Sequence, residues 1–247
     1  MVRDGSEGRR QDDDRALAVL ARDRGGRHAA LAAVGPEEES LTSWFAGVER
    51  PPGNDPAERA RWLREYLDYL MSNPRWRERS VILDLDCEAE ETVLERLINV
   101  TPDLHRTLRN AGFGVVACHV LTPRHHDLSL VTALAYAGFQ PEATMLLLNE
   151  GRVDPSSSVK DAFSRVRRDE CFRDAVARGA VVARVPALDG DVMREIEARR
   201  LDFGMARDGP LAGGPRFQPL DSLARGTVGE WLERMEEAFE RIRTWLP

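Results

Sequence analysis

At 247 residues the chain is long enough to bury a continuous core as one α/β domain, and its apolar share of 42% with 31% charged residues is ordinary for a soluble globular protein. A net charge of −7 gives no support to direct DNA binding through a generally basic surface, and no apolar run approaches the roughly 20 residues of a membrane span. Cys87, Cys118 and Cys171 are odd in number, far apart and without CxxC spacing, which points to reduced thiols rather than a disulfide or zinc framework. The segment Met1 to Asp14 is too polar for a signal peptide, so the expected location is cytoplasmic.

Residues 1 to 40 differ from the rest of the chain. They are charge-dense and rich in Gly and Arg, with no strand-like run, and Ala16 to Ala21 and His28 to Val34 read as short Ala-rich helices without a convincing core face. This segment is expected to be poorly ordered, and residues 41 to 247 to form the α/β domain. Asp55 caps an amphipathic helix that places Trp62, Leu63, Tyr66, Leu67 and Leu70 at core-facing spacing. SVILDLD, starting at Ser80, is a buried strand whose end carries Asp84 and Asp86; a helix from about Glu88 to Val100 follows, and another from Thr101-Pro102-Asp103 stops at Gly112.

The stretch from Gly114 to Gly151 organises the remainder. A β-branched run, a Pro-containing turn, a helix-length segment closed by Gly138 and a second apolar run ending at Asn149 read as strand, crossover, strand. Ligands of parallel sheets sit beyond the carboxyl ends of the strands, which is where Thr122, Pro123, Asn149, Glu150 and Gly151 fall. Helical turns from about Lys160 to Arg178 lead to the strand AVVARVP; then come a helix over Asp191 to Arg207, a loop over residues 208 to 219 and a closing helix from Gly226 to Trp245. Strands separated by helices throughout predict a three-layer α/β/α domain with a mostly parallel, Rossmann-like sheet.

Over roughly residues 40 to 247 this order of pieces resembles the ParA/MinD-type deviant Walker P-loop ATPases, which include plasmid partition proteins. SLTSWF is similar to the segment after that family's second strand, VILDLD to its Walker B strand, HVLTPRHHDL to the next strand and loop, LLLNEG to the strand whose terminal Asn meets adenine, and ARVPAL to the later strand whose Pro-bearing loop flanks the base. The resemblance implies ATP and magnesium as ligands, with Asp84 or Asp86 near the metal and Asn149, Pro186 and Thr122 on the nucleotide side. It further implies a homodimer and a partition-complex protein partner.

One departure is severe. The family's Lys-Gly-Gly-x-Gly-Lys-Ser/Thr loop cradles phosphates with backbone amides and lysines, and nothing here matches it. Lys160, the chain's one lysine, lies after the Asn149 strand, on the wrong side of the sequence from any first strand. The expected fold therefore lacks the family's first strand, ATP hydrolysis is expected to be impaired, and the missing loop leaves open that the chain holds neither ATP nor magnesium. Codons for Glu7 to Leu17 read one nucleotide out of step permit Lys-Gly-Val-Gly-Lys-Thr-Thr-Thr-Ala-Leu, one glycine short of the family loop. Residues 1 to 40 then read as an out-of-frame stretch that contributes no packed strand. The other reading of the chain is a non-enzymatic α/β protein-interaction module. His125, His126 and Asp127 give a weaker metal-hydrolase pattern, since the two adjacent imidazoles diverge.

Overall fold

A computed structural model describes residues 29–34, 41, 45, 47–85, 93, 96–123, 139–210, 217–243 and 245. The fold is mixed α/β with parallel strands in two sheets, as the alternation of apolar runs and helical segments predicts. In the first sheet β1 (Ala29–Ala33) pairs in parallel with β2 (Ser80–Asp84), with Leu31 opposite Ile82. In the second, β3 (Val116–Leu121), β4 (Ala143–Asn149) and β5 (Val181–Val185) lie side by side, all parallel. Among the described residues no pairing joins β2 to β3. The described strands therefore form two sheets, one ending at β2 and the other beginning at β3.

β4 is the centre of the second sheet, and its side chains alternate between two cores. Met145 and Leu147 pack with the residues of α6 (Gly190–Arg199), α7 (Phe203–Asp208) and α8 (Ser222–Phe239), the helices that follow β5. Leu146 and Leu148 pack on the other face with Phe163, Val166 and Phe172, carried by the run that also contains α3 (Val159–Ala162), α4 (Ser164–Arg168) and α5 (Glu170–Ala177). Both faces are covered, the arrangement an uninterrupted apolar strand requires. The first sheet packs against α1 (Pro56–Ser72) and α2 (Leu104–Asn110): Leu63, Leu104 and Leu108 share a cluster with Val34 and Leu83, and Phe113 and Val115, just ahead of β3, join it.

Local signals account for most boundaries. Asp55 accepts from the N–H groups of Ala57 and Glu58 at 2.9 and 3.1 Å, capping α1 with Pro56 in its first turn. α2 ends on Gly112 at φ 92, where the N–H of Phe113 donates to the carbonyl of Leu108 at 3.0 Å, so the left-handed residue closes the helix.

Three expectations are corrected. Residues 29–33 are a strand rather than part of an Ala-rich helix: pairing with β2 and burial of Leu31, Ala32 and Ala33 outweigh a helix preference of only tenths of a kcal/mol per residue. A packed strand within residues 1 to 40 also runs against reading that whole stretch as out of frame, although Glu7 to Leu17 lie outside the described residues. The helix expected over Asp191 to Arg207 is two, α6 and α7, because Arg200 turns left-handed at φ 52 and Asp202 caps a new helix by accepting from the N–H of Met205 at 2.7 Å. The closing helix begins at Ser222, capped by Asp221, rather than at Gly226. The expected crossover helix before Gly138, and His125, His126 and Asp127, fall outside the described residues.

Candidate functional site

The register of the second sheet sets out the candidate site. Leu121 is opposite Leu148 and Asn149 opposite Val185, so Thr122, Asn149 and Pro186 stand together at the carboxyl edge of β3, β4 and β5. Asp84 occupies the corresponding end of β2, in the other sheet, and among the described residues no strand pairing ties it to the other three. It is 3% exposed, and its carbonyl accepts from the N–H of Val34 at 2.9 Å. Asp86 lies outside the described residues.

Asn149 is 4% exposed, and its Oδ1 accepts from the N–H of Gly151 at 2.9 Å. This starts the 3-10 turn Glu150–Arg152, a local role that suits an Asn at a strand end. The neighbouring Glu150 carboxylate is held by the guanidinium of Arg184, the penultimate residue of β5, across the β4–β5 pair. The carbonyl of Pro186 is engaged too, accepting from Trp231 Nε1 at 2.8 Å, while Arg234 on the same helix donates to the carbonyl of Ala187 at 3.3 Å. Trp231 is 1% exposed and packs on Phe203 with ring centroids 4.7 Å apart. The edge is therefore braced from α8.

Sequence reasoning missed the Glu150–Arg184 pair and the Trp231 brace. The first had a signal: Arg184 is a charged, exposed position inside an otherwise apolar strand, between buried Ala183 and Val185, and stands one register step from the end of β4. The second had none, since Pro186 and Trp231 are separated by 45 residues. His119, expected within a strand, is 7% exposed on β3, and burial lowers its pKa from 6.5 to about 4, so the imidazole is neutral at physiological pH. Lys160 and Arg165, Arg167 and Arg168 are exposed on α3 and α4, as a solvated face requires.

The resemblance implies ATP and magnesium as ligands of these residues. Thr122, Asn149 and Pro186 share one carboxyl edge, the part of a parallel sheet where ligands sit. The triphosphate has no counterpart to the family's loop among the described residues, the one lysine being exposed beyond β4. Magnesium keeps several of its waters when it binds, and Asp84 at 3% exposure is too enclosed to meet a hydrated ion without opening. Among the described residues no group of three His, Cys, Asp or Glu could hold a metal ion, and no helix is long and apolar enough to cross a membrane. Comparison with protein-family models, with curated proteins and with solved structures gives no match.

Proposed function

We propose that the chain is a degenerate ParA/MinD-like nucleotide-binding protein, related to plasmid or chromosome partition ATPases, in which ATP hydrolysis is impaired. The observation that supports this reading most is the shared edge of Thr122, Asn149 and Pro186, the three positions that the resemblance assigns to the nucleotide side. In this reading Asn149 contacts the adenine and the loop at Pro186 flanks it. The phosphates are left without the oriented amides and lysines that carry most of phosphoryl-transfer catalysis. Homodimerisation and recruitment by a partition-complex partner belong to the same proposal.

The purified chain is expected to hydrolyse ATP with magnesium no faster than background. Turnover at kinase-like rates, on the order of 1 per second or more, that is lost on Asp84→Ala would remove the proposal of impaired chemistry. A second reading, a non-enzymatic interaction module, is favoured by one observation: the polar groups at the candidate edge already hold one another, as in Asn149 to Gly151, Glu150 to Arg184 and Trp231 to Pro186. No saturable binding of any adenine nucleotide, with a folded chain, would select it.

A further inference from the structure

A cavity of about 280 Å³ lies beside the amino end of β1, lined by Ala29, Ala30 and Leu31 and by none of the strand-end residues described above. Its origin is a local divergence of two chain segments. Glu49 runs beside β1, donating its N–H to the carbonyl of Leu31 at 2.9 Å and accepting from the N–H of Ala33 at 3.0 Å. Gly47, two residues earlier, takes φ 77, and space opens between it and the first three residues of β1. Tyr66, Tyr69, Arg75 and Trp76 wall that space.

These side chains are fixed relative to one another. Tyr66 and Tyr69 are three residues apart and so share a face of α1. Asn73 then caps the 3-10 turn Pro74–Glu78, accepting from the N–H of Arg75 at 3.3 Å, which folds Arg75 and Trp76 back onto that face. Arg75 donates to the Tyr69 hydroxyl at 2.5 Å, and its guanidinium carbon lies 5.0 Å from the centroid of the Trp76 ring. Trp76 meets Tyr69 edge-on, with centroids 6.3 Å apart. The Tyr66 hydroxyl is pushed up to about 12, by burial first and then by the charge of Glu49, so this wall carries a neutral phenol close to a carboxylate.

The lining thus presents one anion, Glu49, and one cation, Arg75, across three aromatic rings, and a second guanidinium, that of Arg79, lies 5.3 Å from the centroid of the Trp76 ring. Among the described residues neither charge has an oppositely charged side chain as its ion-pair partner. A simple anion would be opposed by Glu49 and a simple cation by Arg75, whereas an uncharged apolar molecule would leave both charges unmatched. A ligand with separated charges satisfies both. Aromatic faces beside a carboxylate are favourable surroundings for an ammonium group, and a guanidinium with spare donors suits a carboxylate. The volume lies just below the roughly 300–1,000 Å³ of pockets for drug-sized ligands, which favours a ligand smaller than those.

We propose that this cavity binds a small zwitterion of the amino-acid or betaine class, its ammonium against Tyr66 and Glu49 and its carboxylate on Arg75. The site is independent of the nucleotide reading. The test is calorimetric titration of the full chain with two zwitterions, glycine betaine and phenylalanine, and with two half-ligands. Choline lacks the carboxylate, and 3,3-dimethylbutanoate replaces the ammonium nitrogen by carbon. At least one zwitterion is expected to bind saturably and about tenfold or more tighter than either half-ligand. Glu49→Gln and Arg75→Gln are each expected to weaken that binding about tenfold with an unchanged melting temperature, because both side chains are solvent-exposed. Should either variant unfold, the four probes on the unmodified chain decide the matter alone. Absence of saturable zwitterion binding at tens of millimolar, half-ligands that bind as well as zwitterions, or folded variants that bind like the unmodified chain would each overturn the proposal.

Discussion

His119 ties the stability of the second sheet to pH. Unfolded, its imidazole titrates near 6.5; folded, burial holds it at about 4. Between those values the unfolded chain binds more protons, so stability rises with pH in that window. The contribution is fully present above about 6.5 and is lost as pH falls toward 4, by ~3 kcal/mol in all. Denaturant unfolding across that range should show this loss in the natural chain and a flatter profile in His119→Val; parallel profiles would place the acid sensitivity elsewhere. A second residue carries a local cost. α6 ends as α2 does, with the N–H of Leu201 donating to the carbonyl of Ile196 at 3.1 Å and Leu201 buried beside Ile196, but the left-handed position holds Arg200 instead of glycine. Arg200→Gly is expected to stabilise the protein by about 0.5–1 kcal/mol, read as a raised melting temperature; a lowered one would mean that the Arg200 side chain contributes more than its backbone costs. Gly112 was legible in the sequence as a helix end because glycine announces a left-handed residue. Arg200 was not, since an arginine inside a helical pattern gives no such sign.

Between elements, the closing helix and the edge of the second sheet depend on each other. Trp231 fills the core against Phe203 and also donates to the carbonyl of Pro186, so α8 fixes the loop after β5. Trp231→Phe retains most of the aromatic bulk and leaves that part-buried carbonyl without its donor, a loss of about 1 kcal/mol. Chemical denaturation measures it, and a change within error would mean that solvent takes over the Trp231 contact. α7 and α8 are joined in the same manner: Arg225 donates to the carbonyls of Arg207 and Asp208 at 3.0 and 2.9 Å, serving the open C-terminal end of α7. Element type was legible where periodicity was long, as in α1 and α8, or where an apolar run was uninterrupted, as in β4. It failed at Ala29–Ala33, where four alanines around one leucine carry little pattern and the decision belongs to the partner strand, 51 positions on in the register Ala29 to Ser80. The candidate edge was legible for the same reason as β4: Thr122, Asn149 and Pro186 each follow an apolar strand, and parallel strands put such ends on one side. Their hydrogen-bond partners come from other parts of the chain, and no local spacing encodes them.

At the scale of the whole molecule, the strands of the described residues divide between β2 and β3 while apolar clusters still run from Leu83 to Val115. Thr122, Asn149 and Pro186 share the carboxyl edge of the second sheet on one side of that division, and the described residues contain no phosphate-cradling loop. If the nucleotide reading holds, binding comes from the base and not from the phosphates, and this separates it from an intact ATPase and from a module that binds no nucleotide. The measurement that tests this most directly is a paired titration of the chain with adenosine and with ATP plus magnesium at one ionic strength. The account predicts saturable binding of both with dissociation constants within about threefold of each other, a difference below 1 kcal/mol, and weaker binding of both in Asn149→Ala. ATP with magnesium binding a hundredfold or more tighter than adenosine, or neither ligand binding at all, would contradict it.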